Sequence, residues 1–150
     1  MTYEDLLKEA ELNGLIVKEK PLRAYKGRIK GNRIAIKKDL SDTEKRCVLI
    51  EELGHYYTTV GDILDQSRIE NKKQERRARA WAYDRLIGIT GLINAYKHGC
   101  RNRYEIAEYL NVSEEFLEDA IKYYHEKYGL YYEVDNYIVY FNPLGIVEKF

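Results

Sequence analysis

The apolar residues of this chain change period twice within its first sixty positions, and that change is what most limits its fold. From Thr2 to Leu12 they follow a helix: Leu6, Leu7, Ala10 and Leu12 make a stripe, Thr2 stands three residues before Asp5 as a cap, and Gly14 ends the run. From Leu15 the spacing shortens. LIVKEKPL (15–22) reads as a short strand, and in GRIKGNRIAIKKDL (27–40) Ile34 and Ile36 alternate with polar neighbours after a Gly31-Asn32 turn, which predicts a hairpin. At Ser41 the helical period returns. Ser41 and Glu44 form a capping box, and Cys47, Val48, Leu49, Ile50 and Leu53 predict a mostly buried helix to about Tyr57. This order predicts an α+β fold with a small antiparallel sheet and the second helix packed on it.

The second half is mainly helical. TTVGDILDQS (58–67) reads as a loop, and a long helix begins near Ile69, with Ala78, Ala80, Trp81, Ala82, Leu86 and Ile87 on one side. Its other side carries Arg68, Lys72, Lys73, Arg76, Arg77, Arg79 and Arg85, which reads first as a solvated face. TGLINAYKHG (90–99) gives a short helix stopping at Gly99. RYEIAEYLNVSEEFLEDAIKYY (103–124) looks like a helix-turn-helix, with Ser113 capping the second helix, and GLYYEVDNYIVYF (129–141) gives a β-hairpin around Asp135-Asn136. A DNA-reading helix meets phosphates, yet residues 103–128 hold three cations against seven acids, so this pair reads as a protein-docking or structural unit and DNA is not an expected partner of the protein.

Composition sets the class of molecule. In 150 residues that are 45% hydrophobic there is enough for one domain with a real core, and 25 basic against 25 acidic residues leave no global field, so any polyanion role must come from a local patch. No apolar run approaches the roughly 18 residues of a membrane span, and the acidic, amphipathic N-terminus does not read as a signal peptide, so a cytoplasmic protein with no membrane role is expected. Cys47 and Cys100 lack CxxC spacing and read as free thiols.

The chemistry concentrates in LIEELGHYYT (49–58). EELGH is one letter from the zinc-protease signature H-E-x-x-H, with Glu51 where the first histidine would stand. In that signature two ligands four residues apart project from one helical face, while the intervening glutamate reaches the reacting water as general base. Glu51 and His55 keep the i, i+4 spacing, and Glu52 holds the base position. A lone E-x-x-x-H is a weak signal, since such pairs occur on many solvated helices. Gly54 adds to it, because a glycine costs about 1 kcal/mol inside a helix and marks a close approach by another element or a ligand. Glu75, flanked by Lys73, Gln74, Arg76 and Arg77, is either a salt-bridge partner or a third ligand.

Taken together, E-x-L-G-H on one helix and E-x-x-A-x-x-W-A on the next (Glu75 to Ala82) resemble the ImmA/IrrE family of metallo-endopeptidases of phages and mobile elements. In that family H-E-x-x-H is followed by an E-x-x-A-x-x-F-A type segment that supplies the third zinc ligand. The resemblance covers roughly residues 1 to 98 as a zincin-like domain, with residues 99–150 as a helical pair and β-hairpin packed on it. It implies that His55 and Glu75 are metal ligands and Glu52 the general base. Glu51 is then a replacement ligand, a bystander, or the mark of a dead site. Two carboxylates and one imidazole would hold Zn²⁺, with Mn²⁺ or Fe²⁺ as alternatives, and would acidify a bound water less than two histidines do. The implied function is a metal-dependent endopeptidase cleaving a phage-type repressor. The alternative is a metal-free, catalytically silent antirepressor that binds the repressor through the same fold. His98 and His125, near helix ends, read as caps rather than ligands.

Overall fold

A computed structural model describes residues 1–59 and 68–149, except for the side chains of residues 68–71. The TTVGDILDQS loop beyond Thr59 lies outside the described residues. The chain divides into two compact units, Met1–Ala82 and Tyr83–Phe150.

The first unit holds α1 (Tyr3–Leu12), β1 (Ile16–Lys20), β2 (Gly27–Lys30), β3 (Arg33–Lys37), α2 (Asp42–Thr58) and most of α3 (Arg68–Leu86). Local chemistry sets their ends. The Thr2 hydroxyl accepts from the Asp5 amide at 3.1 Å and the Asp5 carboxylate accepts from the Thr2 amide at 2.9 Å, the reciprocal cap that the sequence predicts. Ser41 Oγ accepts from the Glu44 amide at 3.2 Å and starts α2. Leu6 and Ala10 of α1 are fully buried, whereas Leu12, expected in the same stripe, is exposed at the helix end. Leu49, Ile50 and Leu53 of α2 are fully buried with Ile36 of β3, each contributing about 2 kcal/mol through removal from water.

The hairpin forms as the alternation predicts, β2 antiparallel to β3 with Lys30 opposite Arg33 across the Gly31-Asn32 turn. Gly31 has φ +62°, a conformation open to glycine at little cost. The α+β fold is as expected, and the remaining strand adds a parallel pair to the antiparallel hairpin: β1 joins β3 in parallel, giving the order β1-β3-β2. The reason is geometric. β3 carries the most buried side chains and takes the centre, so β1 and β2 lie two strand spacings apart, joined by residues 21–26. They run in opposite directions, and β3, antiparallel to β2, therefore runs with β1.

The second unit contains α4 (Gly88–His98), α5 (Arg103–Leu110), α6 (Glu114–Tyr128), β4 (Tyr131–Val134), β5 (Tyr137–Phe141) and β6 (Leu144–Glu148). Asn111 closes α5 at φ +54° and Ser113 Oγ accepts from the Phe116 amide at 3.1 Å, so the predicted turn between the two helices is present. The expected hairpin at Asp135-Asn136 is extended by β6, which pairs antiparallel with β5. His125 Nδ1 lies 3.0 Å from the Gly129 carbonyl at the end of α6, and the His98 ring stacks on Tyr109. Neither cysteine forms a disulfide. No described helix is long and apolar enough to cross a membrane.

Candidate functional site

Gly54 is where α2 and α3 meet. A Cβ at that position would overlap the carbonyl oxygen of Ala78 and lie 3.3 Å from the Trp81 ring, so the glycine admits the α3 backbone itself. Thr58 Oγ1 donates to the Gly54 carbonyl at 2.7 Å, and the Tyr57 and Trp81 rings pack 5.1 Å apart one turn further on. The close approach has a direct consequence for the next residue. His55 Nε2 stands 3.1 Å from Glu75 Oε2, and the other oxygen of Glu75 accepts from Arg79 Nε at 3.0 Å. Glu75 is thus both the salt-bridge partner that its sequence neighbourhood suggested and the histidine's partner.

One turn earlier on α2, Glu51 and Glu52 are half-buried, and among the described residues neither carboxyl has a hydrogen-bond or ion-pair partner. Their burial is felt as charge. The Glu51 carboxyl is pushed up to about 7 by burial, against the pull of Arg79, with Glu52 and Glu75 adding to the rise. Glu52 is raised chiefly by burial. Glu75 goes the other way, lowered first by its hydrogen bond to His55, and His55 is raised first by that same bond. Glu52 also faces the sheet: a Cβ on Gly27 of β2 would lie 3.3 Å from Glu52 Oε1.

The structure therefore joins His55 directly to Glu75 and places Glu51 and Glu52 within electrostatic reach of both. Among the described residues Glu51 has no hydrogen bond or ion pair with either. Among the described residues no three His, Cys, Asp or Glu side chains converge as they stand to hold an ion. Two participants were not singled out from sequence. Arg79 was legible in principle, four residues after Glu75; Gly27 gave no signal, because only the fold sets it against Glu52.

A family model described as the IrrE N-terminal-like domain of a peptidase family matches residues 2–122. The chain belongs to the ImmA/IrrE family. The match reaches into α6, further than the roughly 98 residues that the motifs cover, and it carries a metallopeptidase-type fold. Among curated proteins none matches the sequence.

A metallopeptidase family implies a metal, and the donor chemistry here suits one. Half-buried carboxyls without partners are the groups a cation would satisfy. Two donors that share an ion at about 2 Å each lie roughly 3 Å apart, as His55 Nε2 and Glu75 Oε2 do at 3.1 Å. Glu51 stands within electrostatic reach of that pair, and among the described residues it does not converge with it on one point.

Proposed function

We propose that this protein is a metal-dependent endopeptidase acting on a protein substrate, a phage-type repressor. The observation that carries the reading is the pair of half-buried carboxyls, Glu51 and Glu52, unpartnered among the described residues, beside the His55–Glu75 pair in a chain of a metallopeptidase family. His55, Glu75 and Glu51 would hold the ion, Zn²⁺ first, with Mn²⁺ or Fe²⁺ suited to the carboxylate-rich set. When bound, the ion supplies polarisation of the scissile carbonyl and a lower pKa for water. Glu52 supplies proton transfer: its carboxylate takes a proton from the attacking water and returns it to the leaving amine. The raised pKa of Glu52 makes it a stronger base than an exposed glutamate. β2 is an edge strand and Gly27 stands against Glu52, so an extended peptide laid along that edge would pass beside the base.

His55 must give up its proton to bind a metal, and the Glu75 hydrogen bond holds that proton on, so metal affinity rises with pH. The second reading, a silent antirepressor that only binds the repressor, is favoured by the lack of a third converged donor among the described residues. Metal analysis of purified protein separates the two. Stoichiometric metal in the wild type that is lost in His55→Ala, with repressor cleavage abolished by Glu52→Gln, supports the peptidase. Wild type that stays metal-free under every reconstitution condition, yet binds the repressor, sinks it in favour of the antirepressor.

A further inference from the structure

The two faces of the first sheet differ completely. Side chains alternate along a strand, so Val17, Glu19, Gly27, Ile29, Ile34 and Ile36 share one face, and Gly27, Ile34 and Ile36 on it are packed or buried. The opposite face carries Lys18 and Lys20 from β1, Arg28 and Lys30 from β2, and Arg33 and Lys37 from β3, with Ile16 and Ala35 between them. That face has six cations and no acid. All but the half-buried Lys37 are exposed, and among the described residues none of the six side chains has an ion-pair or hydrogen-bond partner. Five of them line a groove of about 450 Å³.

We propose that this sheet face binds the phosphate backbone of a nucleic acid. The register supplies the strongest reason. Lys30 sits directly opposite Arg33, and Lys20 directly opposite Lys37. Like charges in cross-strand pairs destabilise a sheet, so the arrangement costs stability unless an anion is bound between them. Protection of sheet edges explains cations on β1 and β2 but not on β3, which has no free edge. An acidic protein partner is the weaker fit. Protein interfaces centre on an apolar core depleted in lysine, and here only Ile16 and Ala35 are apolar. Nucleic-acid interfaces are polar and strongly positive. The face has no aromatic ring for base stacking, so binding runs through phosphates and is independent of sequence. The acidic α5–α6 pair, which argued against DNA, is a different surface in the other unit, and this binding needs neither a metal nor peptidase activity.

The test is fluorescence anisotropy of a short labelled duplex of arbitrary sequence, titrated with metal-free full-length protein over a series of salt concentrations. If all six cations meet phosphates, log K falls with log salt at a slope of about −5. Lys30→Gln with Arg33→Gln makes that slope shallower by about 2 and weakens binding, while melting without DNA stays level or rises because a like-charge pair is gone. Lys72→Gln with Lys73→Gln, on the exposed basic side of α3, leaves binding unchanged. A wild-type slope shallower than about −1 overturns the proposal. Equal binding by the sheet variant, or loss confined to the α3 variant, overturns it too. Displacement of the duplex by poly-glutamate at equal charge would reassign the face to an acidic protein.

Discussion

Tyr124 and Glu51 both carry a polar group from a helix into a packed region, and their surroundings treat them differently. In the second unit Tyr124 is fully buried, its hydroxyl donating to Asp84 Oδ1 at 3.0 Å and accepting from the Gly88 amide at 3.1 Å, so its donor and acceptor are both used. Burial then raises its pKa with no loss of satisfaction. In the first unit Glu51 is half-buried and also raised by burial, but among the described residues its carboxyl has no hydrogen bond. A satisfied polar group inside a fold adds rigidity; an unsatisfied one holds free energy that a ligand can release. By that criterion Tyr124 is architecture, and the α2–α3 cluster has the character of the site proposed for it.

The largest effect expected from breaking this contrast is at Glu51. Its folded pKa is raised, so its contribution to stability is fully present below the unfolded value near 4.5 and is lost as pH rises through about 7. In metal-free protein Glu51→Gln removes that loss and stabilises at pH 8 by on the order of 3 kcal/mol, with no gain at acid pH. Urea unfolding across pH in the presence of chelator measures it, and a destabilised variant at pH 8 would mean that Glu51 is a satisfied structural residue after all. Next, Gly54→Ala forces a methyl into the Ala78 carbonyl and costs about 2 kcal/mol, since backbone cannot step aside as a side chain can. The two helices then separate, and metal uptake falls with stability. Tyr124→Phe is smaller and opposite in sign to Glu51→Gln: a loss of about 1.5 kcal/mol, level across neutral pH, because a made bond is removed.

Local chemistry was legible where it decides local structure. The Thr2, Ser41 and Ser113 caps, the Gly31 turn and the α2 span all follow from residues within one turn of each other. What escaped is non-local. The parallel pairing of β1 depends on which strand takes the sheet centre, a competition among three short strands that no single window contains. β6 follows Asn142-Pro143 and includes Gly145, which leaves its five residues no strand signal of their own, and pairing with β5 makes them a strand. At the site, spacing placed His55 and Glu51 on one helix and composition singled out Glu75. Only the fold could show that His55 meets Glu75 at 3.1 Å while Glu51 stays apart, because side-chain direction across two helices is set by the Gly54 contact. The basic sheet face stayed hidden for the same reason, since its cations are scattered through three strands and gather only in register.

The smallest effect tests the satisfied side of the site. Glu75 is held below its ordinary value by His55, so its share of stability is present above about 4.5 and is lost as pH falls through its folded value. His55 is held above its ordinary value, so its share is present below about 6.5 and is lost as pH rises through its folded value. The coupling between them is therefore largest between those limits and fades on both sides. With Glu75 side-chain exposure at 42%, solvent screening keeps it under about 1 kcal/mol. A double-mutant cycle of His55→Ala and Glu75→Gln in chelator should give a bell-shaped coupling energy with its maximum near pH 5.5, midway between the two ordinary values. Saturation with Zn²⁺ should flatten the bell at neutral pH, because a metal needs His55 unprotonated and takes the place of the proton the two residues share. A bell that Zn²⁺ leaves untouched would mark the pair as a structural ion pair, and the contrast with Tyr124 would then rest on Glu51 and Glu52 alone.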